Sequence, residues 1–173
     1  MGISLKRSDE AILQKIKDIL KVGADLTYDN RVGKECAVLR FRSDEMAKDL
    51  SQYGIVPNKT YVTEHLPEIS DDLMRHFLRG LLDGDGSIFQ ITNSERWTID
   101  FCSYHQSICE EFRQRCNKLI DSDNNSVIKN YGTAYHMRYQ NKSDVKKLAT
   151  ALYKDNKIAL PRKNELANAI MNK

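Results

Sequence analysis

Ile3 and Leu5 alternate with polar neighbours over residues 2–6, the period of a strand. From Asp9 the apolar spacing changes to three and four: Ile12, Ile16 and Ile19 stripe one face of a helix that runs to about residue 21, with Asp9 at its N-cap position. Residues 24–29 and 36–42 alternate again and predict a hairpin pair, followed by a helix over 44–53. Ser70-Asp71-Asp72 opens the next helix and sets acidic side chains at its positive N-terminus. Downstream the pattern predicts strands at about 87–92 and 96–102, a helix at 106–119, strands at 126–131 and 134–140, a helix at 143–153 and a last helix from about 163 to 171.

Part of this pattern occurs twice. Ile3, Leu5, Asp9, Ile12 and Ile16 follow one another at intervals of 2, 4, 3 and 4, and Ile99, Phe101, His105, Ile108 and Phe112 repeat those intervals. Arg40-Phe41 then pairs with Arg138-Tyr139, and Pro57-x-Lys59 with Pro161-x-Lys163. Residues 67–173 thus form a complete α-β-β-α-β-β-α copy, and residues 1–66 a β-α-β-β-α copy that lacks its first helix and first strand. The predicted class is α+β, with antiparallel strands covered by helices on one face and free on the other.

Alternation assigns that free face. Tyr135, Met137 and Tyr139 pack, leaving His136, Arg138 and Gln140 outward; Leu39 and Phe41 pack, leaving Val38, Arg40 and Arg42 outward. Ile99 and Phe101 pack and leave Thr98, Asp100 and Cys102 outward, with Arg96 at the strand start and Lys129 on a neighbouring strand. Arg matches guanine bidentately, Gln matches adenine, and Lys or Arg neutralise phosphates, so such a face fits a DNA groove. A solvated polar sheet is the plainer reading for any single residue. Arg40 and Arg138 stand at matching places in both copies, which favours the groove.

The densest chemistry lies at 78–86, Leu-Arg-Gly-Leu-Leu-Asp-Gly-Asp-Gly. Leu78, Leu81 and Leu82 continue a helix that ends in acid, and Gly80 and Gly84 share one face on which a second backbone can approach. Two such helices would bring carboxylates together, a costly arrangement unless a divalent cation neutralises them. A calcium loop counted from Asp83 fails, because Ile88 stands where glycine belongs and Ser94 where glutamate belongs.

The nonapeptide resembles the LAGLIDADG motif of homing endonucleases, matching at Leu78, Gly80, Leu81, Asp83, Asp85 and Gly86; Arg79, Leu82 and Gly84 replace the first Ala, the Ile and the second Ala. The resemblance implies an antiparallel β-sheet saddle backed by helices, built from tandem αββαββα-type repeats of which the first is incomplete here. It implies a site-specific double-stranded DNA endonuclease that hydrolyses phosphodiester bonds with Mg²⁺ or Mn²⁺. Carried over by position, Asp85 with Gly84 beside it is the metal site, and Asp83 belongs to the turn. Lys163 and Lys59 are the basic residues at the scissile phosphates, and His105 orients water. Leu78, Gly80, Leu81 and Gly84 form the interface of a homodimer or of a pairing with a second chain. Arg40, Arg42, Arg96, Thr98, Lys129, His136, Arg138, Gln140 and Arg162 are the DNA contacts. The family pairs two motifs, and one is present here, so a DNA-binding regulator that has lost cleavage is the alternative.

Composition narrows little. The 173 residues are 40% hydrophobic and 29% charged with a net charge of +3, which permits nucleic-acid binding without arguing for it. The charge is uneven, however: from Lys142 onward eight basic residues face three acidic ones. No apolar run has the length of a membrane span or the form of a signal peptide. Cys36, Cys102, Cys109 and Cys116 form no Cys-x-x-Cys pair, so zinc is not expected and a reduced intracellular compartment is.

Overall fold

The computed structural model describes residues 1–33, 35–56 and 63–173, and the chain divides into two units, Met1–Gln52 and Tyr53–Lys173. The first contains β1 (Gly2–Lys6), α1 (Glu10–Leu20), β2 (Thr27–Asp29), β3 (Cys36–Arg40) and α2 (Asp44–Gln52). β3 is central and antiparallel to both neighbours. Leu13, Ala37 and Leu39 are the fully buried centre, with Ile3, Leu5 and Ile16 packed against them. Asp9 stands at the N-cap position of α1 and is buried, but its side chain makes no capping bond to that helix.

The second unit contains α3 (Asp71–Asp85), β4 (Gly86–Gln90), β5 (Trp97–Ser103), α4 (Gln106–Ile120), β6 (Lys129–Asn130), β7 (Tyr135–Tyr139), α5 (Lys142–Tyr153) and α6 (Pro161–Met171). The strands run in the order β4-β5-β7-β6, all antiparallel. Ile99 sits opposite Ile88 on one side and Tyr139 on the other, so the inward rows of three strands align. Ile88, Ile99, Phe101, Met137 and Tyr139 meet Leu78, Leu82, Phe112 and Leu148 in one core. Phe101 stacks on Phe112 with ring centroids 4.1 Å apart. Cys109 and Cys116 behave as small apolar residues, and burial pushes the Cys109 thiol up to about 12.

Two elements depart from the predicted pattern. β6 has two residues instead of six, because side chains replace its backbone ladder: Asn124 Nδ2 and Ser126 Oγ both donate to the Arg138 carbonyl, at 3.2 and 2.8 Å. The acidic end of the motif, expected as a turn, is the last turn of α3, and β4 begins at the next residue. Gly86 makes that direct passage feasible. A Cβ there would lie 2.3 Å from Leu82 Cδ1, 2.7 Å from the Leu82 carbonyl and 2.9 Å from the Asp100 carbonyl.

The end of α3 and the start of α6 satisfy each other. Asp83, 9% exposed, accepts from the Tyr153 hydroxyl at 2.7 Å and from the Leu160 N–H, at the N-cap of α6, at 3.0 Å. Lys163, in the first turn of α6 and 1% exposed, donates from Nζ to the carbonyls of Leu82, Asp83 and Gly86 at 2.6, 2.8 and 2.5 Å. Unpaired helix-end groups are what both bonds remove. Arg79 does the same for α5, donating to the Leu152 carbonyl at 3.1 Å, and it ties down the following loop through the Ile158 carbonyl at 2.8 Å. Pro161 at the first position of α6 presets the helical φ and starts the helix two residues before the predicted point.

Replacing Lys163 with Met is expected to lower unfolding stability by roughly 3 kcal/mol, since three buried carbonyls lose a charged donor; urea midpoints measure this, and an unchanged midpoint contradicts the capping role. Gly86→Ala is expected to destabilise by about 1–3 kcal/mol through overpacking. Gly84→Ala in the unassociated chain should instead stabilise by about 1 kcal/mol, because a Cβ there meets nothing within 4 Å and Ala favours the helix.

Candidate active site and nucleic-acid interface

Successive helix positions turn by about 100°, so Asp83 and Asp85 point to opposite sides of α3. Asp83 faces inward, where burial raises its carboxyl above the ordinary range while the Tyr153 hydroxyl, the Leu160 N–H, Lys163 and Arg79 pull it back. Asp85 and Gly84 are exposed. The Asp85 carbonyl accepts from Cys102 Sγ at 2.9 Å, which fixes the backbone beside β5 and leaves the carboxylate to other partners. Asp85 borders a cavity of about 370 Å³ together with Phe77, Leu81, Cys102 and Tyr104.

Among the described residues no three His, Cys, Asp or Glu side chains cluster as a cage. The oxygen chemistry at Asp85 nevertheless fits a hard divalent cation of the magnesium type. Such ions are held through one or two carboxylates, with water and substrate phosphates filling the other positions. Gly84 adds no side chain to this set.

The remaining site residues are distributed unevenly. Lys163 is enclosed beneath α3 as its cap, so the expected reach of its ammonium to a phosphate gives way to a packing role. His105 occupies the N-cap position of α4, packs edge-on against Tyr104 with centroids 5.1 Å apart, and has its Nε2 buried without a partner among the described residues. That nitrogen is therefore not presented to organise an active-site water. Lys59 lies outside the described residues. Arg162 is exposed on α6.

The motif helix also divides its expected interface. Leu78 is 0% exposed and belongs to the core, so it is not available to a partner. Gly80 and Gly84 are open, Leu81 is half-buried, and Leu73 and Phe77 continue their stripe at helical spacing.

On the outward face of the sheet, a groove of about 260 Å³ runs over β6 and β7 between Lys129, Tyr131, His136, Arg138 and Gln140. Thr98 and Asp100 do not stand free on this face as alternation predicts: they are 0% and 6% exposed. They lie on the central strand, where longer neighbours close over them. Phe89 sits opposite Thr98, and Gln140 Nε2 reaches its hydroxyl at 3.5 Å. Asp100 is covered by His136 Nδ1 at 3.1 Å and by Arg138 Nε at 3.2 Å. With Nε held by Asp100 and the guanidinium 5.4 Å above the Tyr131 ring, Arg138 is oriented from two sides. Tyr131 also meets the His136 ring edge-on at 5.2 Å. Sequence reasoning did not pick out Tyr131, and it placed Asp100 without a role. One acid alternating into a basic face is the signal that marks such a brace. Arg96 and Lys129 are exposed as expected. In the first unit Arg40 and Arg42 are exposed too, Arg42 3.3 Å from Asp44 in a solvated pair that contributes little.

The family model of the LAGLIDADG-like domain matches residues 72–152, from the start of α3 to the end of α5. The I-SmaMI LAGLIDADG homing endonuclease bound to cleaved DNA superposes with a TM-score of 0.63 at 14% identity, covering 99% of this chain and 78% of that one. The LAGLIDADG meganuclease I-AabMI bound to uncleaved DNA gives 0.59 at 16% identity, covering 99% and 79%. In sequence, the DNA-directed RNA polymerase subunit Rpo1C of Methanocaldococcus jannaschii is 30% identical over 107 residues, which make up 57% of this chain and 12% of that protein. The chain thus spans a small part of that curated relative's length. With its motif helix, its four-stranded antiparallel sheet and the matched stretch 72–152, this chain carries a region similar to the LAGLIDADG-like domain and has the fold of the LAGLIDADG homing endonucleases.

Proposed function

We propose that this chain is a site-specific double-stranded DNA endonuclease that hydrolyses phosphodiester bonds with Mg²⁺ or Mn²⁺. One observation carries the reading: of the two motif acids, Asp83 is engaged in packing and Asp85 is left exposed on a cavity rim. The LAGLIDADG-like match over 72–152, the fold and the DNA held by the structural relatives support it.

In this mechanism Asp85 would be the carboxylate that holds a divalent ion, with Gly84 beside it leaving the approach open. The ion, when bound, supplies Lewis-acid stabilisation of charge developing on the phosphate. Arg138, fixed by Asp100 and Tyr131, presents its terminal guanidinium nitrogens to a base edge or phosphate, and Gln140, His136 and Lys129 extend the same face. Arg40 and Arg42 offer that chemistry on the first unit. Cutting both strands takes a second acid, and we assign it to a second copy of the chain, docked through the Leu73, Phe77, Gly80, Leu81 and Gly84 stripe of α3.

Asp85→Asn is expected to reduce Mg²⁺-dependent cleavage of a target selected from a randomised plasmid library by at least about a hundredfold while leaving target binding intact. Wild-type cleavage by the variant sinks the assignment. A wild-type chain that binds its target, with or without chelator, and never nicks it is instead a binding protein. Arg138→Ala should cost about 1–3 kcal/mol of discrimination at the contacted base pair, read from binding to single-base target variants. Equal loss on every sequence would reduce Arg138 to a phosphate contact.

A further inference from the structure

A second cleft, of about 350 Å³, opens where the start of β5, the end of β7, the first turns of α5 and the end of α6 converge. Trp97 forms part of its wall, and Arg96, Lys142, Lys146 and Lys173 surround it with Glu95 as the one acid among its lining residues. Counted over side chains, four cations against one carboxylate give the cleft a charge of +3, equal to the side-chain net charge of the entire chain. None of the four makes an ion pair with an acid among the described residues. Lys142 and Lys146 are one helical turn apart, a like-charge spacing that costs the isolated helix stability. That concentration of unpaired charge favours an anion.

Two further observations define what kind. The Trp97 indole N–H is buried and has no acceptor among the described residues, and Lys173 Nζ lies 5.6 Å over the Trp97 ring. In addition, the cleft and the Arg138 groove share Gln140 as a lining residue, so the two adjoin at the end of β7. We propose that this cleft is a seat for phosphodiester oxygens of the DNA backbone, gripping the duplex beside the bases read over β7. The proposal rests on the nucleic-acid reading above. It separates two tasks on adjoining surfaces, with Arg138 and Gln140 discriminating sequence and the Trp97 cleft supplying affinity independent of it.

Trp97 is the only tryptophan of the chain, so its fluorescence reports on the cleft directly. The test follows Trp97 emission while wild type and the Lys142→Ala/Lys146→Ala double variant are titrated with duplex target, and separately with inorganic phosphate at fixed ionic strength. Both lysines are exposed, and matching urea midpoints will verify that the variant folds. Duplex is expected to shift wild-type emission, and the salt slope of log K should become shallower by about 2 in the variant, with sequence preference retained. Duplex binding with preference but without an emission change or slope difference overturns the cleft and leaves the endonuclease reading standing. A response to inorganic phosphate with no duplex binding overturns both, and assigns the cleft to a free anion. No response to either ligand, with no duplex binding, also overturns both.

Discussion

A carboxylate at the end of α3 accepts the N–H that begins α6, and an ammonium in the first turn of α6 takes the carbonyls that end α3. Leu82, Asp83, Leu160 and Lys163 are all buried, so the groups exchanged here are satisfied by one another and not by water. Each buried polar group left alone would cost about 1–3 kcal/mol, and this exchange settles at least four of them. The cost of burying two ionisable groups is accepted because both are fully hydrogen-bonded where they lie. The same exchange fixes the last turn of α3, and with it the direction of Asp85 and the point where β4 departs. The helix cannot unwind into a loop without exposing the Lys163 pocket, and Gly86 leaves just enough space for the strand to start at once.

A similar logic governs the open sheet face. Arg138 and His136 would be mobile side chains on a solvated surface, worth little individually. Asp100 lies beneath them at hydrogen-bond distance and is nearly dry, so it orients both at the cost of its own hydration. Tyr131 closes the arrangement from above with its ring. The result is a preorganised side chain on a strand, a more precise platform than a loop gives.

Local periodicity carried most of the architecture: the 2, 4, 3, 4 spacing marked β5 and α4 correctly, and strand alternation assigned Met137 and Tyr139 inward. The nonapeptide carried the resemblance to the LAGLIDADG-like domain that the match over 72–152 bears out. What periodicity does not contain is the partner of each residue across the chain. Lys163 meets carbonyls 77 to 81 positions away, so its spacing to Pro161 says nothing of its burial. Thr98 and Asp100 alternate outward as expected, yet a central strand is roofed by its neighbours' side chains, which a single strand's pattern cannot reveal. Leu78 and Leu81 look alike in a helical stripe, and their separate fates depend on which arc faces the core. The shortening of β6 hinges on two polar side chains, Asn124 and Ser126, competing for a backbone acceptor.

The division of labour between the two acids of α3 has an evolutionary consequence. Asp83 cannot be altered without disturbing the joint between two helices, so any heir of this gene that still folds is under pressure to keep it. Asp85 is exposed, and on the proposed mechanism one base change, turning its codon into that of asparagine, would silence cutting and spare the shape. Descendants would then decay along an ordered path, first losing the blade and retaining the grip. A lineage of such genes should record that order, with drift at the position of Asp85 appearing long before drift at Asp83 or Lys163.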